Sequence, residues 1–119
     1  LELVGRVITC DSAVVALREG EDLRVVGERH WKQAPSLQGA VFSAHSLTPY
    51  AQVARRCRPL LIADTAVHYP QWAREKGAAH IRSWLGVPLG TQEHSLGVLA
   101  VHSALPGYFT TTHQRLLSA

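Results

Sequence analysis

Two apolar stretches, SWLGVPL (residues 83–89) and LGVLAVHS (96–103), constrain the fold more than any other part of the chain. Both are rich in β-branched and aliphatic residues. The polar turn GTQEH between them is short enough to lay the two strands, near 80–89 and 94–103, side by side in antiparallel. In the first strand Ser83, Leu85, Val87 and Leu89 share one face by the two-residue period. The opposite face carries a large ring at Trp84, no side chain at Gly86 and, at Pro88, a ring that removes a ladder donor. Gly86 therefore predicts a packed helix approaching closely, and Pro88 predicts the end of regular pairing before the turn.

A second hairpin signal lies in SAVVALREGEDLRVVGE, with strands near 12–18 and 23–28 and Gly20 free to take a positive φ in the turn. Residues 29–45 hold Pro35 and Gly39 without a clear period, which predicts a long surface loop of the kind that often binds or covers a ligand. In SLTPYAQVARRCRP, Thr48 reads as an N-cap and Pro49 as a first-turn proline. Tyr50, Val53, Ala54 and Cys57 share one helical face, and Pro59 ends the helix. LLIADT reads as a strand buried on both faces that ends at Asp64 and Thr65. AVHYPQWAREKGAAH predicts a turn at Tyr69-Pro70 and a short polar helix ending near Gly77. The stripe Leu1, Leu3, Val4, Val7 and Ile8, and a helix start near Thr110 or Thr111, place a helix at each end. The expectation is a single domain, 1–119, from a longer multidomain chain.

The 119 residues are 46% hydrophobic and 18% charged, the balance of a folded domain and too apolar for a disordered one. The net charge of +3 is spread along the chain, and its tight basic group, Arg55, Arg56 and Arg58, falls where cations complement a helix dipole. No direct nucleic-acid partner is expected. Cys10 and Cys57 form no C-x-x-C pair and no signal-peptide pattern is present, which favours a reduced, cytoplasmic setting with both thiols as small buried hydrophobes. No stretch approaches the roughly 20 apolar residues of a membrane span, so no membrane contact by this domain is expected.

The seven histidines, His30, His45, His68, His80, His94, His102 and His113, offer no pair at i, i+3 or i, i+4, and a metal site is not expected. The chain has no G-x-S-x-G elbow, Walker-type phosphate loop or G-x-G-x-x-G. It is read as non-catalytic, with no catalytic residues assigned.

The order of elements and the words LLIADT, SWLGVPL, LGVLAVHSALPGYF and TTTHQRLLSA together resemble the GAF domain, a small-molecule-sensing module of bacterial signalling proteins. The resemblance covers nearly the whole chain. It implies an α+β fold: a central antiparallel sheet of five to six strands, terminal helices on one face, and a pocket roofed by loops and short helices on the other. It also implies helices that continue into neighbouring domains and pair with a second copy.

The resemblance names no ligand or cofactor. The family's cyclic-nucleotide signature N-K-x-n-F-x-x-x-D-E has no equivalent here. AREKGAAHIRS holds no chromophore cysteine, and the methionine sulfoxide reductase branch needs more pocket cysteines than two distant ones. A haem sensor would draw on His68 or His80. The resemblance places the ligand contacts at Phe42, Asp64, Thr65, Tyr69, Trp72, Ile81, Arg82 and Ser83, with Arg82 able to pair bidentately with an acidic group. Five of these have a structural alternative: Asp64 as a helix cap, Trp72 (like Trp84) as packing, Phe42 as a pin for its loop, Tyr69 as part of a turn, and Arg82 as a surface residue or the partner of Asp64. Two functions follow from the resemblance. One is a sensory domain of a cytoplasmic signalling protein, such as a histidine kinase or a cyclic-di-nucleotide enzyme, which binds a small ligand and relays to an output domain. The other is a ligand-free dimerisation module; a redox or haem sensor is a third, more remote reading.

Overall fold

The structure, a computed structural model, describes residues 1–75, 77–91 and 93–118. Lys76 of the predicted short helix, Gln92 of the predicted turn and Ala119 of the last helix lie outside the described residues. In chain order the elements are α1 (Glu2–Val7), β1 (Ser12–Glu19), β2 (Asp22–His30), β3 (Val41–Ser43), α2 (Pro49–Arg56), β4 (Leu60–Ile62), α3 (Thr65–His68), a 3-10 turn (Trp72–Arg74), β5 (Ser83–Gly90), β6 (Ser95–Ser103) and α4 (Thr111–Ser118). The six strands form one antiparallel sheet in the order β3-β2-β1-β6-β5-β4.

Both hairpins form where expected, and Gly20 turns the first at φ 63°. The tertiary step is the pairing of β1 with β6, from Ser12↔His102 to Leu17↔Gly97, which makes one sheet of two distant hairpins. α2 begins as expected, with the Thr48 hydroxyl accepting from the Ala51 amide and Pro49 in the first turn. The helix stops one residue early. Cys57 takes a left-handed cap conformation at φ 52°, so it is half-buried and not a core position on the helix face.

Each face of the sheet has its own core. One core joins Val14, Ala16, Leu23, Val25, Trp84 and Val98 to Tyr50, Val53 and Ala54 of α2 and to Trp72, Ala78 and Ile81. The other joins Ala13, Leu85, Val87 and Val101 to Ile8, Phe109 and Leu117, with Leu1 and Val4 against it, so α1 and α4 share the second face. Burying side chains such as Leu85 or Ile81 is worth roughly 1.5–3 kcal/mol each.

The structure corrects several expectations. The 29–45 loop is interrupted: β2 runs on to His30, and Val41–Ser43 pairs with Asp22–Arg24 as an edge strand. β4 is also an edge strand with Leu60 and Leu61 only half-buried, because β5 alone lies beside it. In place of the predicted short polar helix, Trp72–Arg74 is a 3-10 turn, preceded by the four-residue α3. Of the N-terminal stripe, Leu3 and Val7 face solvent. Gly86 makes room for no helix; the indole of Trp84 lies in the space a Cβ there would need. Pro88 does not end the strand but pairs with Val98, two positions beyond the last β4 partner at Gly86, where β4 no longer needs a donor.

Candidate ligand cleft and the polar row beneath it

Strand register puts His30, Ser12, His102, Trp84 and Ile62 in a single cross-strand row, one residue from each of β2, β1, β6, β5 and β4. Directly opposed residues share a face, and this row faces α2. Ser12 Oγ lies 2.9 Å from His102 Nδ1, and Tyr50 Oη lies 3.0 Å from His102 Nε2. Burial, reinforced by nearby His80 and His30 and opposed only by Glu28, pulls His102 down to about 3. Its imidazole is therefore neutral and gives one N–H and one lone pair to these two hydroxyls. Burial likewise pushes the Tyr50 phenol above its ordinary value. The row resembles a Ser–His pair only in name. Both groups are sealed at 1% exposure, and His102 takes up no proton near neutrality, so it works as a structural hydrogen-bond chain.

Tyr50 is also the aromatic hub. Phe42 stacks on it at 4.9 Å, and Trp72 and Trp84 meet it edge-on at 5.9 and 5.2 Å. These four rings fill the space between α2 and the sheet. A cleft of about 420 Å³ remains beside them, between the β3 loop and the Trp72–Ala78 segment, with Leu37, Phe42, Trp72 and Ala78 as apolar wall and Ser43, Thr48 and Glu75 as polar lining. That volume falls in the range of small-molecule sites.

Among the residues expected at a ligand, Phe42 and Trp72 line this cleft. The others lie elsewhere. Asp64 caps α3 through the Ala66 amide and makes two hydrogen bonds with Arg82, at 3.1 and 2.8 Å, on the exposed side of the strand end. The hydrogen bond from Arg82, aided by the Ala66 amide, holds the Asp64 carboxyl below its ordinary value. Thr65 is fully buried and donates to the Ile81 carbonyl at 2.6 Å; Ile81 is core. Ser83 faces the terminal helices, accepting from the Tyr108 amide at 2.9 Å and donating to the Leu105 carbonyl. Tyr69 donates to Gln52 and borders smaller hollows beside Pro70 and β4.

Three residues escaped the sequence argument: Glu28, His30 and Trp31. The Glu28 carboxylate accepts from the Ser36 hydroxyl and from the Leu37 amide at 2.8 Å, and lies 3.1 Å from His30 Nε2. Burial pushes this carboxyl up, but these partners outweigh burial and leave it below its ordinary value. Glu28 thereby ties down the loop that carries Leu37 into the cleft. On the other side of the same strand end, Arg29 pairs with Glu2 of α1 at 3.0 Å, and the Trp31 indole lies against Gly5 of α1. The period-two alternation of GERHW was the available signal, hidden by assigning 29–45 to a loop.

The terminal-helix face carries an apolar groove of about 200 Å³ between α1 and α4, bordered by Leu3, Val7 and Leu116. Cys10 is buried on this side, and burial, then the Asp11 charge, pushes its thiol up to about 11, so it is no ready nucleophile.

A six-stranded antiparallel sheet with helices α1 and α4 on one face and a loop-roofed cleft on the other defines an α+β domain. The family model for the GAF domain matches residues 1–119, and the chain belongs to the GAF domain family. Solved structures agree on the fold. The GAF domain of an Acinetobacter phosphoenolpyruvate-protein phosphotransferase is similar at a TM-score of 0.80 and 18% identity, over 98% of this chain and 69% of that one. The GAF-B domain of DevS from Mycobacterium smegmatis is similar at 0.72 and 17% identity, over 98% and 78%. A free methionine-R-sulfoxide reductase from Neisseria meningitidis, solved with its substrate, is similar at 0.76 and 16% identity, over 98% and 65%. No curated protein sequence matches the chain. Among the described residues no helix is long and apolar enough to cross a membrane.

Proposed function

We propose that this is a non-catalytic sensory domain of a larger cytoplasmic signal-transduction protein, of the histidine-kinase or cyclic-di-nucleotide-enzyme kind, which takes a small ligand against Phe42 and Trp72. Ligand binding then biases the terminal helices, which relay to an output domain and pair with a second copy of the chain. The observation carrying this reading is the two-sided end of β2. Glu28 holds the loop that supplies Leu37 to the cleft, while the adjacent Arg29 and Trp31 hold α1. A ligand that shifts the loop therefore works against side chains one residue away from those that seat the helix.

A second reading, a ligand-free dimerisation and relay module, is favoured by the exposed Leu3, Val7 and Leu116 around the α1/α4 groove and by the four rings that already fill most of the space under α2. Native mass spectrometry of the protein purified from its own host separates the two. A retained small molecule supports the sensor; a dimer that is consistently empty supports the relay and overturns the sensor.

A further inference from the structure

The geometry points to a specific ligand class for the cleft, given its reading above as the ligand site: an apolar molecule carrying one cationic nitrogen. The hydroxyls around the cleft are largely committed to the loop. Ser46 Oγ donates to the Ser43 carbonyl at 2.7 Å, Thr48 Oγ1 lies 3.1 Å from Ser46 Oγ and accepts from the Ala51 amide at 3.2 Å, and Ser43 Oγ accepts from the His45 amide at 3.1 Å. That leaves the Ser43 hydrogen as a donor for one acceptor on a ligand.

Among the described lining residues Glu75 is the only charged one, and its carboxylate has no hydrogen-bond or ionic partner among the described residues. The amide and carbonyl of Glu75 are both held. The Glu75 amide donates to the Trp72 carbonyl at 3.0 Å, and the Glu75 carbonyl accepts from Ala78 and Ala79, each at 2.9 Å. Two arginines that could have served an anion are engaged elsewhere. Arg82 is paired with Asp64, and Arg55 Nη1 donates to the Ala44 carbonyl at 2.9 Å and the Ser46 carbonyl at 3.3 Å. A carboxylate or phosphate placed here would meet Glu75 as a like charge. An ammonium group would share the cleft with that carboxylate and with the Phe42 and Trp72 rings, and both carboxylates and aromatic rings attract cations.

The test uses three probes with one common body: phenethylammonium, 2-phenylethanol and 3-phenylpropionate, titrated into the purified chain while amide shifts of Phe42, Trp72, Gly77 and Ala78 are followed by NMR. The ammonium is expected to bind most tightly and the propionate least. Glu75→Gln is expected to weaken the ammonium about three- to fivefold, the range of a partly solvated ion pair, and to leave the alcohol unchanged. A propionate that binds as well as the ammonium, or an ammonium indifferent to Glu75→Gln, overturns the charge class while the cleft stands as a site. Absence of shifts at these amides with all three probes at millimolar concentration removes the cleft as a ligand site altogether.

Discussion

Lowering the pH should unfold this domain through His102 before the carboxylates become important. His102 is 1% exposed and pulled from 6.5 down to about 3 in the folded chain, whereas in the unfolded chain it titrates near its ordinary value. Between those values the unfolded state binds the extra proton, so stability is complete above about pH 6.5 and falls as pH drops toward 3. The slope is about 1.4 kcal/mol for each pH unit, so going from pH 7 to about pH 4.5 removes on the order of 3 kcal/mol, a large share of a typical domain's 5–15. His80, also lowered by burial, adds in the same direction, while the depressed carboxyls of Glu28 and Asp64 contribute chiefly at lower pH. Urea denaturation of the wild type and of His102→Gln across this range isolates the effect. Gln can keep one hydrogen bond and cannot ionise, so the variant should be less stable at pH 7 by roughly 1–3 kcal/mol, and its acid limb should be flatter by about 1 kcal/mol per pH unit. Parallel acid limbs for the two proteins would refute the argument that a buried neutral imidazole controls this window.

Removing the Tyr50 hydroxyl in Tyr50→Phe leaves His102 Nε2 without its partner and should cost about 1–3 kcal/mol by thermal denaturation; an unchanged midpoint would mean that the 3.0 Å contact carries no energy. Gly86→Ala forces the Trp84 ring aside and should destabilise by about 1–3 kcal/mol, with a changed near-ultraviolet circular dichroism signal from the indole. Ser83→Ala breaks the tie to Tyr108 and Leu105, so hydrogen exchange at the Tyr108 amide should accelerate more than exchange in β1. In Arg82→Ala the Asp64 carboxyl should titrate closer to its ordinary value by carbon-detected NMR, since the Arg82 hydrogen bond is the main cause of its depression.

Particular residues show how much of this was legible. Thr48 and Pro49 announced the start of α2 because capping is a local event, completed by the Ala51 amide three residues on. The face shared by Ser83, Leu85 and Val87 was visible for the same reason. Gly86 predicts a closely packed helix, but the space beside it is taken by Trp84 of the same strand, a choice of side-chain direction that strand period does not specify. β3 was missed because a three-residue edge strand exists only through its register with β2. At the cleft, Phe42 and Trp72 were legible as aromatic residues flanking loops. Arg82 reads from the sequence either as a ligand contact or as the partner of Asp64, 18 residues away, and the structure pairs it with Asp64.

The sequence by itself determined the two hairpins, the start of α2 and the apolar face of β5, because periodicity, turns and caps act over a few residues. Only the tertiary structure decided what those faces meet. Ser12 and His102 are 90 residues apart, and Tyr50 is 52 from His102, so the buried chain that joins them exists only once β1 lies beside β6 and α2 covers the row. The register of β3 on β2 likewise brings Phe42 to a cleft it shares with Trp72 and Glu75. Long-range register and burial, which no local pattern carries, set the chemistry of that site.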